Sequence, residues 1–415
     1  MTVHDRRVIL HIGEPKTGTT FLQQVMWRNR EELAGAGVLL PGRHAQDHFR
    51  AQNDLRGLTK LPGDPAESWA AEWDVLARQA AHTPGVCVIS HELFSAADAG
   101  QAQRAIESLR PARVHVVLTV RDMASLLPAE WQESVKHRTT RAWTDWLADV
   151  IDIESVAPDR RQHWFWRVHD TLEILAIWSR LLPPEQVHVI TVPPQGSGNA
   201  LLWERFAGLL GVDPASVDTS RARPNASLGV AETEFLRQLN MALSPEIPDW
   251  FYMWNVKEPL AHQALAARPR GQRLVLPGDR SAWTASQAEI LIAGLRESRC
   301  DVIGDLDELR PRPASAPAVR PDEAPASELL SAAVAATAAA VLNHYQARYP
   351  AVRPQQAPST PLRLVSRVES KSRAVDLVKR AVRDLSGRYP AVRQLRVRVW
   401  QATERRRVRR NSAHD

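Results

Sequence analysis

The sequence predicts an α/β fold with a mostly parallel sheet, helices on both faces of the sheet, and a helical, basic C-terminal extension. Two observations support this. Five short apolar runs have the length and the Val/Ile/Leu content of strands that are buried on both faces. Segments with helical periodicity separate the runs, and such alternation is typical of a parallel sheet. The runs are VILHI (8–12), VLL (38–40), VCVIS (86–90), VHVVLTV (114–120) and VHVITV (187–192).

The segments between the runs carry apolar residues at spacings of three and four, which predicts amphipathic helices. We expect helices over 66–82, 123–137, 164–182 and 200–210, then one that begins near Ser227 and one over 284–299. The carboxyl ends of parallel strands meet at one edge of the sheet, and α/β proteins bind their ligands there. We therefore expect functional residues where these strands end.

The domain boundary is predicted after residue 309, where the composition changes. The segment RPRPASAPAVRPDEAPA is rich in Pro and Ala and predicts a linker over 310–326. Residues 1–309 are then the α/β domain, and 327–415 a helical, basic, partly disordered tail with helices over 327–347 and about 366–386. Residues 354–415 hold 16 Lys/Arg against 5 Asp/Glu, so the net charge of +6 comes from the tail.

Composition favours a globular, cytoplasmic protein. Of the 415 residues, 44% are hydrophobic, which is enough for a sizeable core. The two cysteines, Cys87 and Cys300, imply no disulfide framework. The N-terminus has no long apolar segment of the signal-peptide kind. The apolar stretch 329–342 is too short and too rich in alanine to be expected to span a bilayer.

A glycine-bearing loop joins the first apolar run to a helical segment, with the order Gly13-Glu-Pro-Lys16-Thr-Gly18-Thr19-Thr20. Strand, loop and helix in this order form the layout of a phosphate-binding loop, where backbone N–H groups and the helix dipole face an anion. Lys16 adds a positive charge, and the threonines add hydroxyl donors. This pattern predicts a P-loop-type sheet; the alternative is a turn that merely joins strand to helix.

The position of the lysine separates two kinds of phosphate-binding loop. In nucleoside triphosphatases the lysine follows the second glycine, in the order G-x-x-x-x-G-K-[ST]. Here Lys16 precedes Gly18. The PKTGTT segment resembles instead the 5′-phosphosulfate loop of sulfotransferases, in the bacterial group related to the carbohydrate-type enzymes. The resemblance implies 3′-phosphoadenosine 5′-phosphosulfate (PAPS) as sulfuryl donor, bound by Lys16, Thr17, Gly18, Thr19 and Thr20, with no metal required.

The resemblance extends to the end of the 114–120 strand. In sulfotransferases an arginine at this strand end and a serine eight residues later bind the donor's 3′-phosphate, and Arg121 matches the arginine. A guanidinium suits this role because it can donate to two phosphate oxygens at once. Ala129 stands where the serine would be, so Ser125, one helical turn nearer, is the candidate substitute. The alternatives are a strand-end ion pair for Arg121 and a helix cap for Ser125.

A candidate general base follows the strand VCVIS. Sulfuryl transfer needs such a base because the acceptor hydroxyl must lose its proton as its oxygen attacks sulfur. In carbohydrate-type sulfotransferases a glutamate after this strand is thought to act as the base, which makes Glu92 the first candidate. His91 is the second, since a histidine has this role in the cytosolic small-molecule enzymes. Either residue can instead cap the helix that follows. Lys16 would stabilise the charge that grows on the leaving phosphate oxygen.

These features predict a sulfotransferase that moves a sulfuryl group from PAPS to a hydroxyl or amine of a carbohydrate or small metabolite. Two rival hypotheses remain. In a P-loop kinase or nucleotide hydrolase, Asp122 or Glu92 would help to hold Mg²⁺. In a non-catalytic sulfotransferase-like scaffold, the donor site would have been lost along with the serine at position 129.

The basic tail allows several partners. An amphipathic helix over 366–386 can bind an anionic membrane surface, which would give a cytoplasmic protein some membrane association. It can also dock a partner protein, bind nucleic acid by charge alone, or remain solvated. The chain contains no recognised module for specific nucleic-acid binding.

Overall fold

The computed structural model describes residues 6–60, 68–153, 159–194, 196–198, 200–222, 227–269, 271–312 and 318–348. Contacts divide the chain into two units, Met1–Tyr349 and Pro350–Asp415. The helix predicted over 366–386 and the basic C-terminus lie outside the described residues.

A six-stranded sheet forms the centre of the first unit. Its strands are β1 (Arg7–Gly13), β2 (Val38–Leu39), β3 (Val86–Ser90), β4 (Arg113–Val120), β5 (Val187–Thr191) and β6 (Asp301–Ile303). The strand order is β2-β3-β1-β4-β5-β6, and each pair of neighbours is parallel. The predicted α/β fold is confirmed, and five strands coincide with the five apolar runs. The short edge strand β6 was not predicted, because its residues are partly exposed and form no apolar run.

Helices fill the connections between the strands. The helices predicted over 66–82, 123–137, 164–182, 200–210 and 284–299 all have counterparts, and further helices that were not predicted lie between them. The helices are α1 (Thr19–Arg28), α2 (Arg30–Gly35), α3 (Ala45–Leu55), α4 (Glu72–His82), α5 (Ala99–Ser108), α6 (Met123–Lys136), α7 (Trp143–Ile151), α8 (Trp164–His169), α9 (Thr171–Ser179), α10 (Ala200–Leu210), α11 (Val230–Ala242), α12 (Asp249–Tyr252), the π-helix α13 (Met253–Leu265), α14 (Ser281–Glu297) and α15 (Ala326–Arg348). The helix predicted over 164–182 is two helices, because Asp170 ends α8 and its carboxylate accepts a hydrogen bond from the first turn of α9.

Both faces of the sheet are covered by helices. On one face, strand residues such as Leu10, Ile89 and Val116 pack in a hydrophobic cluster with α4, α5, α9 and α14. On the other face, Ile9 and Val88 pack with α1 and α10. Successive strand residues point to opposite faces, so a run such as Val8–Ile12 is apolar almost throughout.

A third hydrophobic cluster belongs to a helical layer made of α6, α7, α8, α11, α13 and α15. In it, α15 packs against α11 and α13, with Ala332 and Ala336 buried at the contact. The helix predicted for the C-terminal extension is therefore part of the first unit, and the boundary predicted at 309 falls inside that unit. By length and composition alone, α15 is also long and apolar enough to cross a membrane. This was not expected from the sequence, because the apolar stretch 329–342 is shorter than the whole helix.

Candidate functional site

The loop between β1 and α1 lies at the carboxyl edge of the sheet, against the segment that follows β3. Gly13 has a φ of 101° and Gly18, the N-cap residue of α1, a φ of 85°. A Cβ atom at Gly13 would lie 2.7 Å from both the Cα and the carbonyl oxygen of Glu92. Because only glycine combines this φ with so close an approach, Gly13 is what brings the loop next to Glu92.

A cavity of about 2260 Å³ opens at this edge of the sheet. Sites for one drug-sized ligand usually measure roughly 300–1,000 Å³, so this cavity has room for a nucleotide and a second molecule. The predicted site residues that line it are Lys16, Gly18, Thr19, Thr20, His91, Glu92, Arg121 and Ser125, and Ala129 lines it as well. Residues from three separate stretches of the sequence thus share one space.

Thr17 is the one predicted site residue whose side chain turns away. It is fully buried, and its hydroxyl contacts the hydroxyl of Thr119 at 2.6 Å and donates to the carbonyl of Glu14. The Thr17 hydroxyl therefore ties the loop to β4, and we assign it to holding the loop rather than to binding a ligand.

Arg121 reaches from the end of β4 toward the same loop. Its Nη1 donates to the carbonyl oxygen of Lys16 at 3.3 Å, and its Nε lies 3.9 Å from Asp122. Burial and the positive charge of the nearby Arg273 lower the pKa of Arg121, and they outweigh Asp122, which raises it. Arg273, which also lines the cavity, was not predicted from the sequence because its segment has no clear pattern.

Ser125 does not cap α6. Asp122 is the N-cap residue, and its carboxylate accepts a hydrogen bond of 2.8 Å from the backbone N–H of Ser125. Ser125 is the third residue of the helix and lines the cavity, so its hydroxyl is not needed for the cap.

Glu92 and His91 have different surroundings. Glu92 accepts a hydrogen bond of 3.0 Å from Gln23. Burial raises the pKa of Glu92, but His91, this hydrogen bond and His11 together outweigh that effect, so the pKa is lowered. His91 caps the short helix 92–96, because its Nδ1 accepts from the N–H of Leu93 at 3.2 Å. A neutral His91 with Nδ1 accepting carries its proton on Nε2, which leaves no free ring nitrogen to act as a base.

Lys16 pairs with a residue that the sequence analysis missed. Its Nζ lies 3.0 Å from Oε2 of Glu133, on α6. Burial lowers the pKa of Lys16, but Glu133, Glu130 and Glu92 outweigh that effect and raise it. Conversely, burial raises the pKa of Glu133, whereas Lys16, Lys136 and Lys257 hold it well below its usual range. Lysine and glutamate are both charged at neutral pH.

A buried acid–histidine–acid cluster connects the loop to α6. His169 lies between Glu14 of the loop, 3.4 Å from its Nδ1, and Glu130 of α6, 3.5 Å from its Nε2. Glu14 also accepts from the hydroxyl of Thr171 at 2.5 Å. Burial lowers the pKa of His169, but the two carboxylates raise it to about 9. The imidazolium therefore balances two carboxylates that are otherwise costly to bury.

This cluster predicts that the protein loses stability in mild alkali. The folded-state pKa of His169 lies above its unfolded value of about 6.5, so its contribution is complete below pH 6.5 and is lost as the pH rises through about 9. We expect a loss of at most about 3 kcal/mol in the free energy of unfolding, measured by urea unfolding at pH 6 and at pH 10. The variant His169→Gln should show a smaller difference between the two pH values. An equal difference in both proteins would contradict the assignment.

Comparisons with known proteins add little to this geometry. No protein-family model matches the chain, and no curated protein matches it. Among solved structures, the chain is similar to the crystal structure of a sulfotransferase from Alicyclobacillus acidocaldarius, with 20% identity over 57% of this chain and 93% of that one, at a TM-score of 0.35. A similarity at this identity and TM-score assigns no function to the chain.

Proposed function

We propose that this protein is a sulfotransferase that moves a sulfuryl group from PAPS to a hydroxyl or amine of an acceptor. The supporting observation is the convergence of Lys16, the N-terminus of α1, Arg121 and Glu92 on one cavity. Two cations and a helix N-terminus suit a ligand with two separate anionic groups. One acid beside them suits proton abstraction.

Each end of the donor has a group to bind it. The N-terminus of α1, with Thr19, Thr20 and the Lys16 ammonium, would hold the 5′-phosphosulfate. Arg121 would hold the 3′-phosphate, with Ser125 on the same side of the cavity and Arg273 nearby. The hydrogen bond from Arg121 to the Lys16 carbonyl connects the two parts of the site.

In the proposed reaction the acceptor oxygen or nitrogen forms a bond to sulfur as the bond from sulfur to the bridging phosphate oxygen breaks. The leaving group is 3′,5′-adenosine bisphosphate. Glu92 takes the proton of the acceptor, and its lowered pKa keeps it deprotonated at neutral pH. Lys16 stabilises the charge on the leaving oxygen, which requires its ammonium to turn from Glu133 toward the donor. Glu133 keeps two other lysines as partners when this happens.

The proposal is tested by calorimetric titration with 3′,5′-adenosine bisphosphate, with adenosine 5′-phosphate and ATP–Mg²⁺ in parallel. We expect micromolar binding of the bisphosphate and a preference for it over the monophosphate. The variant Arg121→Gln should lose most of that preference, roughly tenfold or more, since a charged hydrogen bond to phosphate is removed. Binding of the monophosphate should change little.

Arg141→Gln is the matched control. Arg141 lines the same cavity, but its guanidinium is paired bidentately with Asp149 at 2.6–3.0 Å, so its charge is already balanced. This variant should keep the preference for the bisphosphate. Binding of ATP–Mg²⁺ alone would support the kinase hypothesis instead, and binding of neither nucleotide would support a non-catalytic scaffold.

A further inference from the structure

Three lysines meet at one carboxylate in the cavity. The Nζ of Lys16 and that of Lys136 lie 3.0 and 3.3 Å from Oε2 of Glu133. The Nζ of Lys257 lies 3.1 Å from Oε1 of the same residue. The chain has only six lysines among its 53 basic residues, so three at one point is a notable concentration in a protein that otherwise uses arginine.

The lysines come from separate elements and are largely buried. Lys136 ends α6, and its side chain is 5% exposed. Lys257 lies on the π-helix α13, and its side chain is 10% exposed. Lys257 also donates to Nε2 of His137, and both lysines line the cavity. Burying an ammonium group is costly unless an anion balances it.

One carboxylate does not balance three ammonium groups. Glu92 and Glu130 also stabilise Lys16, whereas the ion pairs of Lys136 and Lys257 within the described residues are both with Glu133. The pKa of Lys136 shows the excess positive charge: burial lowers it, Glu133 opposes the effect, and the charges of Lys16 and Lys257 lower it further. Burial also lowers the pKa of the neighbouring His262, with Lys136 and Lys257 acting in the same direction.

Lys136 and Arg121 belong to opposite ends of α6. Asp122 caps the N-terminus of α6 beside Arg121, and Lys136 is the last residue of that helix. At 1.5 Å per residue, the two ends are about 20 Å apart. The Lys16 side chain extends between them, from the Arg121 contact at its carbonyl to Glu133 at its Nζ. The pair is therefore on the side of Lys16 that is opposite to Arg121.

We propose that Lys136 and Lys257 form a subsite for an anionic group of the acceptor, a carboxylate, phosphate or sulfate ester, and thereby place its hydroxyl or amine next to Lys16. The acceptor is then an acidic molecule. Ammonium groups suit this subsite because they are compact point charges with three donors each, so they can contact an entering anion and still stay beside Glu133, whereas the planar guanidinium of arginine is more restricted. The proposal rests on the proposed sulfuryl transfer for the identity of the bound molecule.

The test uses inorganic sulfate and inorganic phosphate as probes of the full-length protein at constant ionic strength, in the presence of saturating 3′,5′-adenosine bisphosphate. We expect the wild-type protein to bind at least one of the two anions by calorimetry. The variant Lys136→Met/Lys257→Met should lose this binding and keep its affinity for the bisphosphate within about threefold. The control variant Lys60→Met removes an exposed lysine of the same cavity. It should keep both the anion binding and the affinity for the bisphosphate.

Anion binding that survives in the double variant, or its absence from the wild-type protein, would overturn the subsite. Should the double variant not fold, Lys257→Met alone gives the same comparison. If the bisphosphate itself does not bind, the proposed function fails, and titration of the anions without nucleotide still tests the lysine pair. With an acidic acceptor in a transfer assay, the variant should raise KM for the acceptor and leave KM for PAPS unchanged. A raised KM for PAPS with an unchanged KM for the acceptor would instead assign the lysine pair to donor binding.

Discussion

Replacing Lys16 with methionine is expected to lower the rate of sulfuryl transfer by roughly 10²–10³-fold, the usual effect of removing one group that stabilises charge in a transition state. The methylene chain is kept, so the loss is that of the ammonium alone. Its effect should fall mainly on kcat, because the charge on the leaving oxygen develops only during the reaction. The measurement is the turnover of PAPS to 3′,5′-adenosine bisphosphate with a responsive acceptor.

The fold should tolerate this change. In Lys16→Met, Glu133 still has Lys136 and Lys257 at 3.3 and 3.1 Å, so no carboxylate is left buried without a partner. Lys60→Met is the matched control, since it removes the same charge from an exposed position of the cavity. Unchanged turnover in Lys16→Met, or an equal loss in both variants, would exclude the specific role of Lys16.

The parts of the site that the sequence predicted are those that local pattern determines. A strand, a glycine loop and a helix start are contiguous, so the position of Lys16 at the edge of the sheet follows from a stretch of about a dozen residues. Arg121 and Glu92 each come directly after a strand with an apolar run. Parallel pairing of β3, β1 and β4 then places these strand ends side by side.

The parts that the sequence did not predict depend on tertiary contacts. Glu133 and Lys136 have the spacing of neighbours on a helix, but nothing local connects them to Lys257, which lies more than a hundred residues away on a π-helix that contains Pro259. π-Helical segments are rare and often occur at functional sites. Similarly, the direction of the Thr17 hydroxyl is set by its contact with Thr119 on β4. A sequence pattern identified the threonine but could not show which way it turns.

The cap of α6 shows the same limit on a smaller scale. Asp122 and Ser125 are both good capping residues, and sequence alone left a cap as one of two roles for Ser125. The first helical residue is Met123, so Asp122 is the cap and Ser125 lies in the first turn. If α6 began three residues later, Ser125 would be the N-cap and its hydroxyl would accept a hydrogen bond from the backbone. Because the helix begins at Met123, the hydroxyl is instead available to the cavity.

The variant Glu133→Gln should lower the stability of the protein markedly. It removes the carboxylate that three ammonium groups share and leaves them close together in a largely buried place. Breaking a buried ion pair costs about 3–5 kcal/mol; since Glu133 is 22% exposed, we expect about 2–3 kcal/mol in the free energy of unfolding. The measurement is urea unfolding at pH 7 and low ionic strength.

Two comparisons separate this charge effect from a general loss of packing. Inorganic sulfate should restore stability to Glu133→Gln more than sodium chloride does at equal ionic strength, because a bound anion replaces the missing carboxylate. Adding Lys16→Met to Glu133→Gln should cost less than the sum of the single changes, since it removes one of the repelling charges. Additive effects with no response to sulfate would mean that Glu133 acts through packing alone. The excess positive charge beside Lys16, on which the acidic-acceptor proposal depends, would then lose its support.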